Sequence, residues 1–320
     1  MDSCIAGDCY FRRGGRVTEQ PLTLPTELSV LLWGDTGHGK STIIAELVEE
    51  LYVTQGTTTA IFLADRGSIK PYRILAEHGA ATLYTPNGSN PWLWVHHALR
   101  GEVRNTKSQA YEAVAGKGNP GVGLIVHEGL TAYAELLMST MATMSSAGTN
   151  IGGEGAWNVT IREGKDTLKV GTSNMAHYGM AQLQIREGVL AEKPPVPHIY
   201  TAGARRGESA ANTPVLGPLV VGDALTGQLP RWMDYTFRCS MTGGKYHLHL
   251  APHTDPQLGP RTVVLSNPRL PKAGAQVEVP ASIEPASLVK ALRILAAREA
   301  AAAQELQTRL QQSERRSTTV

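Results

Sequence analysis

The residues best suited to chemistry come first in Gly34-Asp35-Thr36-Gly37-His38-Gly39-Lys40-Ser41. This run matches the phosphate-binding pattern G-x-x-x-x-G-K-[ST] at every fixed position. A loop of this kind wraps backbone N–H groups around phosphate oxygens, and the following helix adds the positive end of its dipole. Gly34, Gly37 and Gly39 permit a tight path with no Cβ in the way. Lys40 is expected to pair with the β- and γ-phosphates of a nucleotide, and the Ser41 hydroxyl to coordinate Mg²⁺. Thr42, the next residue, completes the expected nucleotide-contacting segment.

Such a loop calls for a partner acid, because Mg²⁺ keeps several waters that carboxylates orient. Glu128 closes the apolar run Leu124-Ile-Val-His127 and is read as that acid, against the alternative of an ordinary strand-end carboxylate in a turn. Hydrolysis also needs a group to orient or deprotonate water. Asp65 ends Ala60-Ile-Phe-Leu-Ala64 and is the candidate, with a helix N-cap or a salt bridge to Arg66 as the competing reading.

These side chains need elements to hold them. Leu28–Trp33 has strand length and composition, and Thr42–Leu51 reads as the helix after the loop. Further strands are expected at Thr57–Ala64, Ala81–Thr85, Val122–Glu128 and Pro197–Ala202, with helices at Lys70–Gly79, Pro91–Gly101, Thr131–Met144 and Met175–Ala191. Strands or hairpins are expected at Arg231–Thr242, Lys245–Ala251 and Arg261–Leu265. That alternation predicts an α/β fold with a mainly parallel sheet flanked by helices. Residues 1–24 read as an irregular arm, and residues 25–275 as the nucleotide-binding domain. Within it the Gly- and Asn-rich stretch 145–175 reads as an insertion or mobile loop. Residues 276–320 read as a linker and a long C-terminal helix, with Leu288, Leu292, Leu295, Leu306 and Leu310 at helical intervals. That helix docks on its own domain, on a neighbouring subunit, or on neither.

The chain has 320 residues, a formal charge of +2 and 42% hydrophobic residues, the composition of an ordinary globular protein. Near-neutral charge means that any basic surface is local. No run approaches the ~18 apolar residues of a membrane span, so no membrane partner is expected. Residues 1–10 do not read as a secretory leader. Three cysteines, Cys4, Cys9 and Cys239, form no disulfide framework and fit a reducing cytoplasm. Cys4 and Cys9 read as free thiols rather than metal ligands. His247 and His249 alternate on one strand face, and two ligands do not make a metal site. Arg100, Arg104, Lys107 and Lys117 form a local basic cluster after Trp92 and Trp94; aromatics beside cations can stack bases, although at least one Trp is expected in the core.

Taken together, three segments resemble the RecA-like P-loop ATPases, in particular phage and prophage AAA-family nucleotide-binding proteins of the single-strand annealing and recombination type. They are Gly34–Thr42, Leu124-Ile-Val-His-Glu-Gly-Leu-Thr-Ala-Tyr133, and Ile199-Tyr-Thr-Ala202 with the polar segment after it and Pro214-Val-Leu-Gly217. The resemblance spans roughly residues 26–270. It implies ATP and Mg²⁺ as ligands, hydrolysis, a homo-oligomer, single-stranded DNA as partner, and the host cytoplasm if the chain is phage-encoded. By the same likeness Thr201 lies near a γ-phosphate sensor. Glu128 and Asp65 depart from the usual Asp and Glu at their positions. The segment Gly203-Ala-Arg205-Arg206-Gly-Glu208 is expected as a polar loop. Arg205 and Arg206 then contact DNA, reach a neighbour's ATP, or stay solvated. Two rivals share these features: a DNA motor or loader of another kind, and a nucleotide-bound assembly protein with little turnover.

Overall fold

The computed structural model describes residues 21–317 except 87–89, 117–118, 147–156, 164–165, 173–175, 209–213, 221–222, 255–262 and 265–275. The expected irregular arm and Cys4 and Cys9 therefore lie almost wholly or wholly outside the described residues, as does Lys117.

In chain order the elements are β1 (Ser29–Trp33), α1 (Lys40–Gln55), β2 (Thr58–Leu63), α2 (Lys70–Glu77), β3 (Ala81–Tyr84), α3 (Pro91–Ala98), a hairpin of β4 (Glu102–Arg104) and β5 (Tyr111–Ala113), β6 (Val122–Glu128) and α4 (Leu130–Ser146). There follow a second hairpin of β7 (Trp157–Glu163) and β8 (Asp166–Thr172), α5 (Ala176–Leu190), β9 (His198–Glu208), β10 (Pro214–Leu219), α6 (Asp223–Gln228), β11 (Tyr235–Thr242) and β12 (Lys245–His249). The chain ends in β13 (His253–Thr254), β14 (Val263–Val264), β15 (Ser282–Ile283) and α7 (Leu288–Ser317).

The main sheet runs β3-β2-β6-β9-β1-β11-β12-β15. Every pairing from β3 to β11 is parallel; β12 and β15 then add antiparallel neighbours. The expected α/β class, a mainly parallel sheet flanked by helices with a long C-terminal helix, is the architecture observed. Strands buried on both faces need apolar residues on both, and β1 shows it: Leu31 and Trp33 face one core while Val30 and Leu32 face the other. The first core is completed by residues of α3, α4 and α5, and the second by α1, α2 and α7.

Three sequence expectations change here. The 145–175 stretch contains the β7–β8 hairpin, paired from Trp157↔Thr172 to Glu163↔Asp166. Its alternation of polar and β-branched residues was masked by the surrounding glycines. The expected polar loop 203–208 is not a loop. β9 continues through it, and Arg205 and Arg206 pair in register with Gly217 and Leu216 of β10. The linker before α7 contributes β15 to the sheet edge.

α7 docks on its own domain through its first turns. Leu288, Ala291, Leu292 and Leu295 are buried, and Arg293 Nη2 donates to Glu50 Oε1 of α1 at 2.7 Å. Tyr235 OH donates to Glu299 of the same helix. Beyond Ala302 the helix leaves the domain surface, with Leu306 and Leu310 exposed.

Candidate functional site

The strand order dictates how the loop and the acid meet. β9 lies between β1, which feeds the loop, and β6, which carries the acid. Ile199 is level with Val30 on one side and Val126 on the other. Counting on by two residues, Thr201 stands between Leu32 and Glu128, just below the loop that begins at Gly34. Parallel strands bring all three C-terminal ends to one edge, where α/β proteins bind ligands.

The loop is built for close approach. At Gly34, with φ 155°, a Cβ would lie 2.2 Å from the carbonyl oxygen of Cys239 on β11, so only glycine fits. Gly37 and Gly39 sit at φ 83° and 79°, and Gly39 occupies the N-cap of α1. Gly34 N donates to Ala202 O at 3.2 Å, and the His38 ring nitrogen Nδ1 lies 3.2 Å from Cys239 O; these contacts fasten the loop to β9 and β11. Lys40 Nζ donates to Gly34 O at 2.8 Å and Asp35 O at 3.0 Å, which holds the ammonium over its own loop.

Glu128 is buried at the end of β6 and is the hub of the site. Its Oε1 accepts from Ser41 Oγ at 3.0 Å and Thr201 Oγ1 at 3.1 Å, and its Oε2 accepts from Tyr72 OH at 2.6 Å. Thr201 Oγ1 also accepts from Gly129 N at 2.7 Å, which sets the turn after the acid. Burial raises the Glu128 pKa above its ordinary value; the three hydroxyl donors and the Lys40 charge oppose that rise. Burial, the adjacent carboxylate and its hydrogen bond in turn push the Tyr72 phenol well up, so Tyr72 stays a donor.

Asp65 lines the same cleft but is turned to its own backbone. It caps the 3₁₀ turn Arg66–Ile69, with Oδ1 accepting from Gly67 N at 2.8 Å and Oδ2 lying 3.4 Å from Ser68 Oγ. β2 is separated from β1 by β6 and β9, so Asp65 reaches the cleft from beside Glu128; a Cβ on Gly129 would lie 3.6 Å from the Asp65 Cβ. The cleft measures about 980 Å³ and is walled by the loop, Glu128, Asp65, Glu135, Thr201 and Tyr246.

Loop amides, a lysine, a hydroxyl and a carboxylate within 3.0 Å of that hydroxyl form the donor set that a magnesium-bound phosphate chain requires. The residues present fit such a group. Lys40, Ser41 and Glu128 are thus brought together, Asp65 lies at the rim, and Arg205 and Arg206 lie further along β9.

Tyr72, Thr201 and Tyr246 were not legible as a set. Tyr72 stands on a helix whose position under Glu128 depends on β2 pairing with β6. Tyr246 comes from β12, and its ring packs against the loop: a Cβ on Gly39 would meet Tyr246 Cδ1 at 3.1 Å. Trp92 is fully buried, as expected for at least one tryptophan of its cluster, and Trp94 meets Tyr133 edge-on. His249 is hydrogen-bonded with Ser240 and His247 lies 3.6 Å from Glu284; among the described residues no group of three or more His, Cys, Asp and Glu is placed to hold a metal ion.

No family model matches the chain, and no curated protein matches it. Solved structures do. One is a KaiC-like protein, PH0186, of Pyrococcus horikoshii OT3, at 10% identity and a TM-score of 0.31 over 70% of this chain and 77% of that one. Another is the flagellar accessory protein FlaH of Methanocaldococcus jannaschii, at 8% identity and a TM-score of 0.33 over 71% and 77%. The strand that feeds the glycine loop and the strand that ends in Glu128 are separated by one inserted strand, β9, within a mainly parallel α/β core.

Proposed function

We propose that the protein binds ATP with Mg²⁺ at Gly34–Thr42 and hydrolyses it slowly, as a homo-oligomer that acts on single-stranded DNA. The observation that carries the nucleotide reading is the 3.0 Å hydrogen bond between Ser41 Oγ and Glu128 Oε1, made across the intervening strand β9. Ser41 and, through water, Glu128 would hold Mg²⁺, which would supply neutralisation of the phosphate charge when bound. Lys40 exchanges its carbonyl partners for phosphate oxygens. Ser41 and Glu128 orient the metal's ligand shell, and Thr201 holds Glu128 in place. The low rate is favoured by Asp65, whose carboxylate is occupied by its own turn and must leave it to serve as a base. That same observation favours the assembly-protein reading as the second choice.

Tyr246 is 42% exposed and lines the cleft beside the loop, which puts its ring within reach of a nucleotide base. Base–aromatic stacking is worth about 1–3 kcal/mol. Tyr246→Ala is expected to weaken ATP binding by roughly 5- to 150-fold while leaving inorganic tripolyphosphate binding unchanged. Equal losses for both ligands would make Tyr246 a support of the loop and nothing more.

The DNA partner follows from the resemblance, with Arg205 and Arg206 as the candidate contacts. Among the described residues no helix is long and apolar enough to cross a membrane. The deciding assay is ATP turnover with and without single-stranded DNA, with particle size measured in parallel. Stimulation is expected, and Ala at both arginines is expected to flatten the salt dependence of DNA binding by about one to two phosphate contacts. An unchanged rate and an unchanged salt slope would leave an ATP-binding protein with another partner.

A further inference from the structure

A second cleft of about 470 Å³ opens where β3 ends, between α3 and the β4–β5 hairpin. It shares no lining residue with the phosphate-loop cleft. Three of its walls are aromatic: Tyr84, Trp94 and Tyr111. Each ring is seated against a second ring. Tyr84 stacks on Phe62 at 5.1 Å, Trp94 meets Tyr133 edge-on at 5.4 Å, and Tyr111 lies on His97 at 3.4 Å and an interplanar angle of 8°. His97 is fixed in turn by Glu102, with Nδ1 2.7 Å from Oε2. Rings held in this way lose little freedom when a ligand arrives.

The remaining walls are polar in a selective manner. Glu102 and Arg104 stand two positions apart on one face of β4, and both line the cleft. They place an acceptor-only group beside a donor-only group. Gln109, also lining it, holds φ 60°, a conformation uncommon for a residue other than glycine. Its side chain donates to Thr106 O at 2.7 Å, which keeps the hairpin turn folded at the mouth of the cleft.

From this geometry we infer that the second cleft binds a nucleobase. Its volume falls within the range of small-molecule sites. Aromatic walls suit a flat ring, and a lining that includes both a carboxylate and a guanidinium suits the mixed donor and acceptor edge that nucleobases carry and hydrocarbons lack. A carboxylate among the walls disfavours a site built around phosphate, so the base and not the backbone is what the cleft reads. The base comes from a free nucleoside or from an unpaired strand. The inference stands independently of the ATP reading, because it uses none of the phosphate-loop residues.

The test is equilibrium dialysis of the full chain with adenosine, guanosine, cytidine and thymidine, and separately with a single-stranded oligothymidylate and its abasic counterpart. Tyr111→Leu keeps apolar bulk on His97 without a ring face, and Tyr111→Phe restores the face. Saturable nucleoside or oligothymidylate binding is expected, weakened roughly 5- to 150-fold by Tyr111→Leu, kept by Tyr111→Phe, and untouched by Lys40→Ala. Binding of nucleosides alone assigns a free metabolite, whereas preference for the oligothymidylate over its abasic form assigns an unpaired strand. The inference is overturned if neither ligand class binds saturably to the wild type. It is equally overturned if Lys40→Ala abolishes the binding, or if Tyr111→Leu leaves it unchanged. Failure of ATP to bind, with nucleosides still held, would sink the proposed function and leave this site standing.

Discussion

Lys40→Ala is expected to lower ATP affinity by roughly 10- to 150-fold, the equivalent of about 1.5–3 kcal/mol for one hydrogen bond to a charged group. The side chain's hydrogen bonds go to the Gly34 and Asp35 carbonyls within the loop, both at 3.0 Å or less. Its removal therefore leaves the two cores intact, and the thermal midpoint of the ligand-free protein should move little. What disappears is an ammonium placed to meet the proposed phosphate chain, a charge-assisted contact that water replaces poorly. Isothermal titration with Mg²⁺–ATP reads the effect directly. Unchanged affinity in a folded variant would remove the phosphate-loop assignment.

The second large effect has two opposite signs. Glu128→Gln is expected to reduce kcat on the order of 10²-fold, the loss typical of a preorganised electrostatic group. The same change is expected to raise the thermal midpoint of the ligand-free protein near neutral pH. Burial lifts the Glu128 pKa above 4.5 in the folded chain. Above that ordinary value the unfolded carboxyl gives up its proton more readily than the folded one, so stability falls as pH rises through the folded value. Glutamine carries no such penalty. Its amide can still be matched, because the hydroxyls of Ser41, Tyr72 and Thr201 rotate to donate or accept. Thermal unfolding with and without Mg²⁺–ATP separates the two effects, since ligand stabilisation should shrink in the variant. A glutamine variant that melts lower without ligand would show that the carboxylate is a structural pin first.

The glycine loop between β1 and α1 was legible because its pattern is local: glycines, lysine and serine lie within one short run, flanked by a strand and a helix that show in the hydrophobic pattern. Glu128 was legible for a related reason, since an acid closing an apolar strand is unusual enough to need a purpose. Thr201 was approached only through a family likeness. Its role depends on Ile199 being level with both Val30 and Val126, and register across non-adjacent segments leaves no mark on a single sequence. Tyr72 and Tyr246 were hidden for the same reason. Arg205 and Arg206 show the reverse failure. Glycine and arginine around them suggested a loop, yet pairing with Pro214–Leu219 keeps the chain extended through both. Tertiary partners override local propensity most readily in strands.

The length of β9 has a mechanical meaning. It is one unbroken strand from His198 to Glu208, and Thr201 on it is hydrogen-bonded to Glu128. From Thr201 to Glu208 is about 23 Å of extended backbone at ~3.3 Å per residue. If the proposed phosphate site is occupied, β9 is a single rod that joins its threonine to the antiparallel ribbon at the far rim where the two arginines ride.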